Sequence, residues 1–136
     1  MVKGSDRIRE GIDRMWLFTR YGFFSAVCRR SPEAPAGYWP ETIAVRARRR
    51  RHLEALMGRF PEELGSRKIL EGDGSDYPVR IFVPKVVWAR VASALAGETD
   101  YHNFKDEVAR VDGRGAYEAA LHAVWSVMYK IGNDQT

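Results

Sequence analysis

The densest set of chemistry-bearing side chains in this chain is the stretch "VRARRRRH", which places Arg46, Arg48, Arg49, Arg50 and Arg51 within six positions. A guanidinium is planar, permanently charged and forked, so it matches the paired oxygens of a phosphate or carboxylate. The run passes from an alternating pattern into a helical one, which sets these arginines at a helix N-terminus. There they meet the positive end of the helix dipole, at a cost of about 0.3–1 kcal/mol each before screening. A bound anion would turn that repulsion into attraction, because helix N-termini and arginines both hold phosphate. The competing account is a solvated basic face, partly balanced by Glu54, Glu62 or Glu63.

The second candidate is "WLFTRYGFFSAV", Trp16 to Val27, where Arg20 lies among five aromatic residues. An arginine beside strand aromatics is what base stacking on a basic sheet requires, with Tyr21 and Phe23 as the stacking rings. Part of the stretch, "RYGFFSAV", echoes the aromatic strand of RNA-recognition domains. It departs from that pattern by one glycine and by the final aromatic, where Ala26 and Val27 stand, so the family is not assigned. The competing account is a core strand.

A third set is "DYHNFKDE", with Tyr101, His102 and Lys105 as possible acid–base groups. His102 and Asp106 have the spacing of two metal ligands on a helix, but two ligands do not make a metal site. No nucleophile, third ligand or orienting partner accompanies them, and a capped surface helix is the favoured account of the segment. His122 reads as a helix-face histidine. "EGDGSD" lacks the spacing and terminal glutamate of a calcium loop. Neither a Walker pattern nor a dinucleotide fingerprint is present, so no catalytic residue, metal or cofactor is assigned.

The elements that must position these residues follow from periodicity. Residues 16–28 are aromatic and β-branched with no proline, which predicts one strand. Alternation then puts Trp16, Phe18, Arg20, Gly22, Phe24 and Ala26 on one face, and Leu17, Thr19, Tyr21, Phe23, Ser25 and Val27 on the other. Gly22 marks a potential bulge. "SPEAPAGYWPE", 31–41, is a loop, and "TIAVRAR", 42–48, a second strand. A helix over 49–60 carries the apolar stripe Leu53, Leu56, Met57 and Phe60. "SRKILEG" and "YPVRIFV" predict two further strands, the latter including 78–83, with "DGSD" as the hairpin turn between them. Helices follow over 84–96, over Tyr101–Val111 with Asp100 as its cap, and over Ala116–Ile131. The last has Tyr117, Leu121, Val124, Trp125 and Met128 as its buried stripe. This is an α+β layout, with a mostly antiparallel sheet of about four strands built from two ββα units and followed by C-terminal helices.

Composition narrows the class. A length of 136 residues with 45% hydrophobic content suits a single domain with a real core, assigned to 15–136, after an N-terminal extension over 1–14 in which Ser5 or Asp6 could cap a short helix. The lone Cys28 cannot form an internal disulfide, which fits a reducing cytoplasm. No apolar run approaches a membrane span, and "MVKGSDRIREGIDRM" has no signal-peptide core, so a membrane role is excluded. A net charge of +4 and a pI near 9.4 point toward an anionic partner.

"MWLFTRYGFFSAV", "DYHNFKDEV" and "HAVWSVMY" together resemble a group of small bacterial proteins of unassigned function that open on a similar Met-Trp strand. The likeness spans Met15 to Ile131. It implies a bacterial or phage cytosolic protein in which 1–14 is an extension, and it transfers no functional residue.

Three functions are compatible with these features. The first is a non-enzymatic binding module for a nucleic acid or other phosphate-bearing ligand, through Arg20, Arg46 and Arg48 to Arg51 with sheet aromatics. The second is a protein–protein adaptor or inhibitor, for example of a nucleic-acid-handling complex, with exposed aromatics and arginines as hot spots. The third is an enzyme using Tyr101, His102 and Lys105. Arginines clustered beside an exposed aromatic sheet face would favour the first, a flat apolar patch the second, and a cleft around His102 and Lys105 the third.

Overall fold

A computed structural model describes residues 15–72 and 76–132. Residues 1–14 and 73–75 lie outside the described residues, and with them the expected helix cap at Ser5 or Asp6 and most of the expected "DGSD" turn. The α+β expectation holds, with five strands in place of about four. The sheet is antiparallel throughout, in the order β1-β2-β3-β5-β4. Its strands are β1 Met15–Thr19, β2 Gly22–Arg30, β3 Tyr38–Ala47, β4 Leu70–Glu71 and β5 Val79–Pro84. The described helices are α1 Arg50–Arg59, the short α2 Pro61–Leu64, α3 Lys85–Gly97, α4 Phe104–Asp112 and α5 Ala116–Gly132.

The extra strand arises because 16–28 is not one strand. It is a hairpin whose turn is Arg20–Tyr21, with Thr19 paired to Gly22 across it. Thr19 makes the turn locally. Its hydroxyl accepts from the backbone N–H of Tyr21 at 3.1 Å and of Gly22 at 3.2 Å, and donates to the Gly22 carbonyl at 2.9 Å. Gly22 leaves the turn at φ 149°, a backbone conformation that L side chains rarely adopt. A Cβ there would also lie 2.3 Å from the His52 ring of α1, so glycine is required twice over. The bulge expected at Gly22 is found instead between Cys28 and Arg29. Beyond it Tyr38 and Trp39 pair with Arg30 and Arg29, so β3 starts inside the stretch expected to be loop. Pro40 sits next to this irregularity, where a strand tolerates a residue with no N–H.

The hairpin changes which residues share a face. Trp16 and Phe18 stand opposite Ser25 and Phe23, not in line with Phe24 and Ala26. One face of the sheet, with Phe24, Ala26, Ile43, Val45, Ala47, Val79, Ile81 and Val83, packs under Leu53, Leu56 and Met57 of α1 and Trp88 and Val91 of α3. That is the main core. Each of these large side chains contributes about 1.5–3 kcal/mol by leaving water. A second, smaller cluster joins Val108 of α4 to Tyr117 and Leu121 of α5, with Phe23 and Phe104 packed against it.

Two helix expectations change. α4 begins at Phe104 rather than Tyr101, because Asn103 and not Asp100 accepts the capping N–H, from Asp106 at 3.0 Å. The buried stripe of α5 ends at Leu121. Trp125 is 56% exposed, and Met128, Tyr129 and Ile131 are exposed with it. Spacing aligned them with Leu121, but no described element packs over that end. Trp125 stacks on Tyr129 of its own helix, with the Lys105 ammonium 5.6 Å from its ring.

Two outcomes test this packing. Replacing the buried Leu121 with Ala should lower unfolding free energy by about 2–5 kcal/mol, whereas Trp125→Ala should lower it by about 1 kcal/mol or less. Urea unfolding followed by circular dichroism reads both, and equal losses would contradict the exposure of Trp125. Gly22→Ala should destabilise more than Trp125→Ala in the same assay, through both backbone strain and the clash with His52.

Candidate nucleic-acid interface

The face of the sheet opposite the main core alternates aromatic and cationic residues. Trp16 and Phe18 come from β1, Phe23, Ser25 and Val27 from β2, Ala44 and Arg46 from β3, and Arg80 and Phe82 from β5, all in register. Phe18 stacks on Phe23 with centroids 4.7 Å apart, and Trp16 meets Phe23 edge-on at 5.8 Å. Phe23 itself is wedged between these rings and the α4–α5 cluster. The accessible rings are therefore those of β1, with Trp16 56% and Phe18 36% exposed. Across the sheet, the guanidinium of Arg29 lies 4.0 Å from the centroid of Phe82. Between these two ends Tyr77 is buried beneath two arginines, Arg46 at 4.4 Å and Arg48 at 4.7 Å from its centroid. Arg46 also donates to the buried Ser25 hydroxyl at 2.8 Å. Stacking and this bond hold Arg46 flat along the sheet, an ordered cation rather than a free one.

The arginine run divides at the start of α1. Arg49 is the N-cap residue, no side chain caps the helix, and its first turn holds no acid. Arg50 pairs with Glu54 at 3.0 Å and Glu71 at 2.6 Å, and Arg51 with Asp112 of α4 at 2.8 Å. These carboxylates offset the repulsion expected between the arginines and the dipole. Arg48 is exposed and lies over Tyr77, whereas Arg49 is exposed at the start of α1, its charge felt by His52, and no ion pair holds it among the described residues. The five arginines thus fall into Arg46 and Arg48 on the Tyr77 side of the sheet, Arg49 exposed at the helix start, and Arg50 and Arg51 tied to neighbouring acids.

Arg20 and Tyr21 are elsewhere. In the β1–β2 turn, Arg20 donates to Glu107 at 2.7 Å, to Asp100 at 3.1 Å and to the Glu98 carbonyl at 3.0 Å. Its side chain is only 12% exposed. The Tyr21 hydroxyl donates to Glu98 at 2.7 Å, and Arg59 of α1 reaches the same carboxylate at 2.6 Å. Neither Arg20 nor Tyr21 stands with Trp16 and Phe18 on the open face. The Glu107 carboxylate is unlike an ordinary surface acid. Hydrogen bonds from Arg110 first and Arg20 second pull the Glu107 carboxyl down to about 2. The Arg20 guanidinium is raised in turn, chiefly by Glu107. His52, buried against Tyr117, is pushed below the ordinary histidine value by desolvation, against the pull of Asp112. Burial raises the Tyr117 hydroxyl, which donates to the Thr19 carbonyl at 2.9 Å.

Tyr101, His102 and Lys105 are not brought together. The Tyr101 ring faces the Arg20 guanidinium at 5.6 Å, His102 is exposed, and the Lys105 ammonium lies 3.3 Å from His122 Nδ1. The cleft between the β1–β2 turn and the end of α3 is lined by Arg20, Tyr21, Glu98, Thr99 and Tyr101, and neither His102 nor Lys105 borders it.

Sequence reasoning missed Trp16, Phe18, Arg29, Tyr77 and Phe82 as members of one surface. The available signal was Thr19 and Gly22 bracketing two polar-tipped residues, a turn pattern that restores the correct alternation once it is recognised. No family model, curated protein or solved structure matches this chain.

The acid-side stability follows from Glu107. Its carboxyl falls from an ordinary 4.5 to about 2 on folding, so the contribution is present above pH 4.5 and lost as pH drops toward 2. Glu107→Gln should lower the urea midpoint at neutral pH and flatten its decline across that window. A variant whose midpoint falls with pH as steeply as the parent's would assign the acid sensitivity to other groups.

Proposed function

We propose that this protein is a non-enzymatic binding module for a nucleic acid or a similar phosphate-bearing polyanion. The observation that carries the reading is the sheet face opposite the main core, where exposed Trp16 and Phe18 share the surface with Arg46, Arg48 and the Arg29 guanidinium that covers Phe82. Aromatic rings give bases a surface to stack on, and arginines give phosphates their counter-charge. The uncapped start of α1 adds backbone N–H donors next to Arg48 and Arg49. The basic balance of the chain favours approach of such a ligand over long range. Arg50 and Arg51 serve the fold in this reading, because their charges already face Glu54, Glu71 and Asp112.

The division of the arginine run supplies the test. A fluorescent mixed-sequence oligonucleotide titrated at several salt concentrations should bind with an affinity that falls steeply as salt rises. Arg48→Ser and Arg49→Ser should each weaken binding and reduce the salt slope by about one per lost phosphate contact. Arg50→Ser should change the slope by much less. Absence of binding by the parent protein would remove this reading, and equal effects at all three positions would remove the division between surface and structural arginines.

A further inference from the structure

We propose that the open face takes a single strand rather than a duplex, laid diagonally from Trp16 and Phe18 at one edge to the Arg29–Phe82 pair. This rests on the nucleic-acid reading above and narrows it.

The first argument is what the rings can touch. In a duplex the bases stack on each other and offer only their edges, inside grooves that admit a helix or a two-stranded ribbon. A sheet with β1, β2, β3 and β5 side by side is broader than such a ribbon. The exposed rings of Trp16 and Phe18 would meet only sugars and phosphates, which gain little from an aromatic surface. An unpaired base has a free π-face, and every base has one, so an aromatic platform selects for unpaired strands without selecting sequence.

The second argument is spacing. Phe82 lies opposite Ala44, and Ala44 opposite Val27, which is four residues along β2 from Phe23 and its partner Phe18. With ordinary strand spacing and rise, the two aromatic stations are about 16–20 Å apart. That is room for roughly four nucleotides, the low end of the range for compact single-strand-binding folds. Arg46, lying flat on Tyr77, falls between the stations, where the connecting phosphates would pass. At the far station the guanidinium of the exposed Arg29 already covers Phe82. An arginine plane of that kind is itself a stacking surface for a base.

The third argument is order. Phe18 is held by its stack on Phe23, and Phe23 by the α4–α5 cluster. Arg46 is held by Ser25 and Tyr77. Side chains already fixed lose little rotamer freedom on binding, so a small site of this kind can hold a flexible strand.

The test compares a labelled single-stranded oligonucleotide of about twelve nucleotides with the duplex made from it, by fluorescence anisotropy at two salt concentrations. The parent protein should bind the single strand at least tenfold more tightly. Trp16→Ala and Arg29→Ala, both exposed positions, should each weaken single-strand binding by about fivefold or more at either salt while leaving duplex binding little changed. Circular dichroism and urea midpoints equal to the parent's confirm that both variants fold. Equal affinity for the two forms, or variants that keep single-strand affinity, would overturn the single-strand inference and leave the broader nucleic-acid reading standing. Failure of the parent to bind either form would remove both.

Discussion

Arg20 is the tie that the architecture depends on. It occupies the tip of the first hairpin, yet its guanidinium is held by groups from the end of α3, the segment beyond it and α4. A charge this enclosed is tolerated only because the carboxylates of Glu98, Asp100 and Glu107 and the Glu98 carbonyl surround it. Removing one partner from such a set leaves an uncompensated charge, which costs more than the intact pair contributes. The same turn carries Tyr21, whose hydroxyl meets Glu98, and Thr19, whose carbonyl takes the Tyr117 hydroxyl of α5. One two-residue turn thus fixes the hairpin, the end of α3 and the seating of α4 and α5.

The division of labour between the sheet's faces follows from that turn. With the chain reversing at Arg20–Tyr21, Leu17 points to the main core while Trp16 and Phe18 point away from it. The apolar requirement is met on one face by strand residues beneath α1 and α3. The other face carries aromatics and arginines that lie outside the main core, with Phe23 reaching the smaller α4–α5 cluster. His52 connects the two systems at the corner, with its ring against Gly22 on one side and Tyr117 on the other.

Much of this was legible in the amino-acid order and some was not. β3, β5, α1 and α3 follow from alternation and helical stripes, because Val45, Ile81, Leu53 and Val91 are buried by the elements nearest to them. The hairpin was hidden because a run free of proline reads as one strand. The groups that break it are a threonine hydroxyl, a glycine and carboxylates roughly eighty residues away. The arginine run was visible as residues, but not its division, since Glu71 and Asp112 reach Arg50 and Arg51 from distant segments. For α5, helical spacing gave the side on which Trp125 lies. It could not show whether anything covers that side, because cover is a property of the neighbouring elements.

Antiparallel alternation makes the two faces interleave residue by residue, so the gene encodes them as two messages woven through one string. Between Gly22 and Cys28 every second codon belongs to the main core and the others to the opposite face of the sheet. Substitution can therefore revise one message while sparing the other. Loss or gain of a single codon within β2 would exchange them, turning Ser25 and Val27 toward the main core and Phe24 and Ala26 away from it. Changes of length are thus confined by geometry to the connections, chiefly 31–37 and 72–78, while the side chains of the opposite face stay open to gradual revision.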